Sequence, residues 1–428
     1  MSDGDTSRLR FIDIFAGCGG LSLGLTQAGW KGLFAIEADR FAFETLKHNL
    51  LEQMPSYDWP TWLPGESCEI RGFLKQHRRN LKSLRGKVDL IAGGPPCQGF
   101  SFAGRRRKDD PRNGLFKHYL EIVALLRPRL LFLENVRGVA IEFGKKHRPR
   151  KRGPGRPPTP FSVRIQERLI ALGYVVYPKL VRALDYGVPQ FRPRYIMIAI
   201  DKRLLRNRVN YDPYARLEER RKEFLAEKEL PLDRPVGVQE AISDLETVQK
   251  ELAPCPDVRG YQQVSYTFPI TVYQSLLHGS MNGSSPNSMR LAKHREEIRD
   301  RFAKILATCR RGVQMTPAER KRLGLKKNCI VPLDPEQPSH TLTSLPDDLI
   351  HYSEPRILTV REYARLQSFP DWYAFKGKYT TGGELRVREC PRYTQVANAV
   401  PPFLAEVLGR LLKDVSHELS ISREVRRE

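Results

Sequence analysis

The chain is 428 residues long, 40% hydrophobic and 28% charged: ordinary proportions for a globular enzyme, and too long for one compact core, so two domains are expected. Lys and Arg number 72 against 49 Asp and Glu, and the resulting formal charge of +23 favours a polyanionic partner, nucleic acid or an anionic surface. No apolar run approaches the roughly 20 residues needed to span a bilayer, which weighs against a membrane class, and the polar stretch Met1–Arg10 reads as neither a signal nor a transit peptide.

The first two hundred residues alternate strand and helix patterns. Arg10–Phe15 is β-rich, Gly17-Cys18-Gly19-Gly20 is a turn and Leu21–Ala28 reads as a helix. Gly32–Ile36 predicts a second strand and Arg40–Leu50 a helix. Val88–Ala92 predicts a buried strand, Leu115–Leu126 a helix, and Leu130–Leu133, Tyr174–Leu180 and Tyr195–Ile200 further strands. This rhythm implies a mostly parallel sheet covered on both faces: an α/β, doubly wound, Rossmann-like domain. Residues 144–160, rich in Lys, Arg, Pro and Gly, cannot bury a core and form a basic insertion. From 205 to 355 the alternation fades into a smaller mixed domain. Regular structure returns with the capping box Thr359-x-x-Glu362, ahead of a helix expected to carry Tyr363, Leu366 and Phe369. Pro401-Pro402 opens a last helix expected to run through Leu412.

Two places carry chemistry. The glycine turn from Phe15 to Gly20, between a strand and a helix, lets a ligand approach backbone at a helix N-terminus. Glu37 ends the next strand, where an acid commonly takes the ribose hydroxyls of an adenosine-type cofactor. Alone, this pair fits any Rossmann-like nucleotide binder. The second place is Gly93-Gly94-Pro95-Pro96-Cys97-Gln98-Gly99-Phe100-Ser101 at another strand end. The seven cysteines stand singly, with neither Cys-x-x-Cys nor zinc spacing, as reduced intracellular thiols do. Cys97, stiffened by two prolines and flanked by glycines, is the candidate nucleophile among them.

In order along the chain stand Phe15–Gly20, Gly94–Ser101, Glu134-Asn135-Val136, Gln190-Phe191-Arg192-Pro193-Arg194, Arg356–Pro370 and Gln395–Pro402. This series resembles the motifs of the cytosine-5 DNA methyltransferases, of the bacterial type that modifies DNA beside a restriction endonuclease. The resemblance implies a catalytic domain of residues 1–204 plus 356–428 that binds S-adenosyl-L-methionine, and a target-recognition domain of residues 205–355. It implies that Phe15, Gly17, Gly19, Gly20, Leu21, Glu37, Ala38, Glu69, Ile70, Gly94, Pro95, Asn398, Ala399 and Val400 hold the cofactor. It gives Cys97 the attack on carbon 6 of cytosine, Glu134 the ring nitrogen and exocyclic amine, and Arg192 and Arg194 the base carbonyl and a neighbouring phosphate.

The substrate implied is double-stranded DNA with the target cytosine flipped out. Residues Phe100–Asn113 would form a closing loop. Gln98, Ser101 and the run Arg105, Arg106, Arg107 and Lys108 would meet DNA there. Within the insertion, Lys151–Pro158 resembles an AT-hook that would add non-specific DNA affinity. Glu69 stands where an Asp commonly contacts the adenine amine, Ala397 where Gly is frequent, and Asp185 where Asn is frequent. The rival readings are an RNA methyltransferase, against which the long recognition region and the missing Cys-Phe-Thr weigh, and a catalytically inactive DNA-binding protein, against which the intact set Cys97, Glu134, Arg192 and Arg194 weighs. A cytoplasmic monomer, functionally paired with an endonuclease, with no metal and no membrane attachment, completes the expectation.

Overall fold

Phe11, Ile12, Asp13 and Ile14 are all buried, so their strand has protein on both faces. A computed structural model describes residues 9–95, 114–140, 160–206, 208, 210–279, 281, 284–327, 329–381 and 385–424. Strands β1 (Arg10–Ile14), β2 (Lys31–Ile36), β3 (Leu90–Gly93), β4 (Leu130–Val136), β5 (Tyr174–Arg182) and β6 (Pro193–Asp201) form one sheet in the order β2-β1-β3-β4-β6-β5. The first four pair in parallel, while β6 runs antiparallel to both β4 and β5. That reversal sets Val136 opposite Arg194 and places Glu134 two residues further along the same pair. Helices α1 (Gly20–Gln27), α2 (Arg40–Leu46), α3 (Ile70–Ser83), α4 (Leu115–Leu126) and α5 (Phe161–Ala171) cover the sheet.

Four expectations change. The Arg40–Leu50 helix is α-helical only to Leu46 and continues as a π-helical turn, Lys47–Gln53, where Asn49 bonds Thr45 and Ala374. The Thr359 helix has both arms of its capping box but ends at Leu366. Ser368 takes φ 62°, and Phe369 turns back into the core with its N–H on Ala364 O at 2.9 Å. The closing helix runs from Pro402 to Glu424 rather than to Leu412, because Val415 and Leu419 stay buried and Arg129 bonds Ser420. Finally, the boundary expected at 204/205 is not a break in packing. The helix Leu217–Glu227 sits against the closing helix, and Leu217, Phe224, Tyr273, Leu333 and Leu342 belong to the main core. Two small clusters, around Phe302 and around Leu245, account for the rest of the 205–355 segment. The basic insertion lies outside the described residues, apart from its last residue, Pro160. Among those described, no helix is long and apolar enough to cross a membrane.

The first and last helices meet backbone to backbone. A Cβ on Gly24 would stand 2.4 Å from Ala405 Cβ and 2.5 Å from Pro402 O, and one on Gly409 would stand 2.7 Å from Ala28 Cβ. Trp30 Nε1 donates to Gly409 O at 2.9 Å. Helix propensity and packing therefore make opposite predictions for Gly24→Ala. Propensity alone would add about 1 kcal/mol, whereas the clash should remove about 1–3 kcal/mol. We expect a net loss. Gly72, in the first turn of α3 with nothing within 4 Å of its added Cβ, should instead gain up to about 0.5–1 kcal/mol as Gly72→Ala. Denaturant midpoints of the two variants measure the difference, and a stabilised Gly24→Ala would contradict the close-packing account.

Candidate active site

Two cavities meet over the carboxyl ends of the parallel strands. The first, about 460 Å³, is walled by the β1–α1 turn, the end of β2, the start of α3, Gly94-Pro95 after β3, and Asn398-Ala399-Val400. The second, about 810 Å³, is walled by Arg192 and Arg194 of the β6 strand and its approach, Thr341–Asp347 from the 205–355 segment, and Tyr379–Thr381. Glu134, Val136 and Asn398 line both.

The turn is built by backbone geometry. Phe15 takes φ 66°, Gly17 φ 57° and Gly19 φ 90°; the left-handed region is costly for a residue with a Cβ such as Phe15. Glu37 closes the corner, its carboxylate accepting from the N–H of Gly17 and of Asp39, each at 2.8 Å. Burial pushes the Glu37 carboxyl above its ordinary range, and the two amides oppose that rise. Behind the turn, Asp13 is fully buried. Its Oδ2 accepts from Ser22 Oγ at 2.6 Å, itself bonded by Tyr57, and its Oδ1 has no hydrogen-bond partner among the described residues. Burial raises Asp13 to about 6.

Of the residues expected at the cofactor, Phe15, Gly17, Leu21, Glu37, Ala38, Glu69, Ile70, Gly94, Pro95, Asn398, Ala399 and Val400 line the first cavity. Gly19 and Gly20 do not line it. A Cβ on Gly19 would meet Tyr373 Oη at 2.7 Å, and one on Gly20 would meet Val400 O at 2.4 Å. Their smallness shapes the cavity by letting the Val400 segment close over α1.

Glu134 and Arg194 form an ion pair at 2.6 Å, nearly buried on both sides. Burial lowers the Arg194 guanidinium, and the neighbouring Glu134 opposes that fall. Gly94 permits their neighbour to pass: a Cβ there would stand 3.2 Å from Glu134 O. Asn135 Nδ2 donates to Pro95 O at 3.1 Å, tying the segment before Cys97 to β4. Cys97, Gln98, Ser101, Arg105, Arg106, Arg107 and Lys108 lie outside the described residues.

Arg192 differs from the role the resemblance implied. Its terminal nitrogen bonds Ala397 O at 2.8 Å and Ala399 O at 2.9 Å, and the other bonds Gln190 Oε1 at 3.3 Å. These oxygens take the terminal donors of a fully buried guanidinium, two of them on either side of Asn398, while Nε has no partner among the described residues. Its fork therefore holds the cavity wall. Gln190 accepts from Leu342 N at 3.1 Å and donates to Leu366 O at 3.1 Å, joining three segments.

A model of C-5 cytosine-specific DNA methylases matches residues 9–414. The chain belongs to that family. It is 32% identical to the type II methyltransferase M.DdeI of Desulfomicrobium norvegicum, over 94% of this chain and 88% of that one. It is 30% identical to the type II methyltransferase M.XorII of Xanthomonas oryzae pv. oryzae, over 93% and 83% respectively. In fold it resembles a crystal structure of a DNA modification methyltransferase encoded within an E. coli prophage, with TM-score 0.63 and 24% identity, covering 96% of this chain and 99% of that one. The chain is thus a DNA cytosine-5 methyltransferase that uses a methyl donor.

Sequence reasoning missed Asp13, Cys68, Leu115, Cys390 and Gln395, which also line the methyltransferase's first cavity. Asp13 carried a signal, an acid inside an otherwise apolar strand before a glycine turn. The thiols carried none, because their placement depends on chain closure. Six cysteines are described and all are free. Burial pushes Cys18 up to about 12 and Cys68 to about 11, so both stay neutral thiols beside the donor site.

Replacing Arg192 by Leu leaves the Ala397 carbonyl unpaired, while Ala399 O keeps the Gln367 amide. We expect a stability loss of about 1–3 kcal/mol from that change, larger than from Arg192→Lys, which can still reach the Ala397 carbonyl. Denaturant unfolding of both variants tests the order, and equal losses would remove the role given to the fork.

Proposed function

We propose that this methyltransferase turns a cytosine out of duplex DNA, attacks carbon 6 with Cys97 and methylates carbon 5 from S-adenosylmethionine, so protecting DNA from a cognate restriction endonuclease. We place it in the bacterial cytoplasm, as a monomer acting on double-stranded DNA, with residues 205–355 choosing the target. The observation that carries this reading is the meeting of the two cavities at Glu134, with Gly94-Pro95, which precede Cys97 in the sequence, lining the first of them.

The first cavity fits the cofactor. Asp13 offers a buried, unpartnered acceptor to a cationic group, Glu37 stands at the ribose corner, and Gly17 leaves open space where a Cβ would be. S-adenosylmethionine supplies an electrophilic methyl group when bound. Carbon 5 of cytosine becomes nucleophilic only once carbon 6 is saturated. The Cys97 thiolate forms that bond, and ring electron density shifts toward carbon 5 and the ring nitrogen. Glu134, held by Arg194, donates a proton or hydrogen bond to that nitrogen and offsets the developing charge. Arg194 presents the remaining guanidinium donors to the base cavity, whereas Arg192 keeps Asn398 in place from behind. After transfer, water takes the carbon-5 proton, the ring electrons return, and the Cys97 sulfur leaves as thiolate.

Expression in a host lacking cytosine methylation, followed by bisulfite sequencing, should show protected cytosines recurring in one short motif. Cys97→Ala should abolish protection while leaving cofactor binding intact; methyl incorporation into tRNA instead of DNA would overturn the substrate.

The Asp13 carboxyl gives a pH dependence. In the unfolded chain it ionises near 3.8 and in the fold near 6, so the free protein loses stability as pH rises through that interval. A cationic ligand is held better by the carboxylate, so cofactor affinity should rise through the same interval, by up to about tenfold per pH unit below 6. Asp13→Asn should flatten that part of the profile in calorimetric titration with S-adenosylmethionine. An unchanged profile would show that the carboxylate does not meet the cation.

A further inference from the structure

Four aromatic and guanidinium groups stack in alternation behind the second cavity. Arg290 lies between Tyr261 and Tyr379, its guanidinium carbon 4.5 Å and 4.1 Å from the two ring centres, and Arg392 covers the other side of Tyr379 at 4.3 Å. The two arginines differ in one respect. Arg392 donates to Asp257 at 2.7 Å and to Ser288 at 2.9 Å, and Tyr379 Oη donates to the same carboxylate at 2.6 Å. Asp257 is thereby committed. Arg290 has neither a hydrogen bond nor an ion pair among the described residues, and its Nε is buried without a partner. Lys293, over the far ring of Tyr261 at 5.1 Å, adds positive charge rather than quenching it.

Neighbouring cations are answered: Arg194 by Glu134, Arg356 by Glu362 and Arg365 by Asp371, while Arg192 gives its terminal nitrogens to three neutral oxygens. A half-buried guanidinium left without an anion is costly unless a ligand supplies one. The two rings fix its plane and remove much of the rotamer freedom that an arginine otherwise loses on binding. Tyr379 is itself a wall of the base cavity, and the Arg290 charge is felt at Tyr393, another wall.

We propose that Arg290 is a preorganised clamp for a DNA backbone phosphate beside the flipped nucleotide. The planar fork matches two phosphate oxygens, and the cation–π sandwich aims it. The clamp supplies affinity and register, not sequence choice. The inference rests on the DNA reading given above, and the test separates the two.

The probe is a duplex oligonucleotide carrying the methylated motif, bound by the full chain over a series of salt concentrations. Arg290→Gln keeps a planar polar head on a shorter stem and removes the charge. Its slope of log affinity against log salt should be shallower than the wild type's by about one phosphate contact, and its affinity at low salt should fall about tenfold, with the methylated motif unchanged. Unchanged cofactor affinity serves as the folding check. Should Gln fail it, Arg290→Met, whose flexible chain fills the slot between the rings, carries the same expectation. Wild-type slope and affinity in a folded variant would overturn the clamp, and a relaxed motif with an unchanged slope would overturn it in favour of a base contact. A wild-type chain that itself bound no duplex at low salt would instead sink the DNA reading.

Discussion

The contact on which the site depends is the closure of the two ends of the chain. Helix α1 and the closing helix approach until backbone meets backbone, at Gly24 against Pro402 and Ala405 and at Gly409 against Ala28. Only glycine permits that separation. The approach delivers Asn398, Ala399 and Val400 onto the β1–α1 turn, so a cavity begun by residues 13–21 acquires its opposite wall from residues nearly four hundred positions later. Tyr373 secures the same closure from the side, its hydroxyl bonding Cys18 O.

Buried charge does the second half of the positioning. Arg356 grips Glu362 with both arms at 2.7 and 2.8 Å, Arg365 grips Asp371 at 2.7 and 3.0 Å, and Arg361 bonds the carbonyls of Asn287, Pro370 and Tyr373. Such groups add little net stability when paired and cost much when a partner is removed, so their value lies in fixing one arrangement. Glu362 shows the economy of the design: its carboxylate completes the Thr359 capping box and receives Arg356 at once. This segment therefore anchors recognition and catalytic residues to each other and touches neither cavity except at Ile357.

Much of this was legible in the sequence where local rules apply. The six strands fell close to their observed places because short apolar runs bounded by turn residues stand out in the sequence, and the capping box named its own helix start. Helix α3 was not seen. Its signal was there to be read, because Ile70, Phe73, Leu74 and Leu81 recur on one face at helical spacing among Lys and Arg. The ordered motifs placed Glu134 and Arg194 at a site, but an Arg-x-Arg pattern cannot say which guanidinium faces a ligand. That distinction arises from β6 being antiparallel to β4 and from Ala397 and Ala399 lying within reach of Arg192. Gly20 was expected to meet the cofactor and instead meets Val400, a contact that only chain closure reveals.

The two cavities differ in polarity in a way that follows from what each must hold. The interior of the first places the carboxylates of Asp13 and Glu37 among apolar walls and neutral thiols, with Arg71 only at its exposed rim. The second places Arg192 and Arg194 among hydroxyls of Thr341, Thr343, Thr380 and Thr394, with Asp347 at its exposed rim. A chain of net charge +23 has cations to spare, so concentrating buried carboxylates in one cavity is selective. A cationic donor is favoured by the first, and an electron-rich base with its phosphates by the second. Glu134 stands on the partition and belongs to both. Its pairing with Arg194 keeps a carboxyl at the boundary where, in the proposed reaction, negative charge develops on the base and positive charge leaves the donor. The separation of charge between the cavities therefore points along the direction in which the methyl group must move.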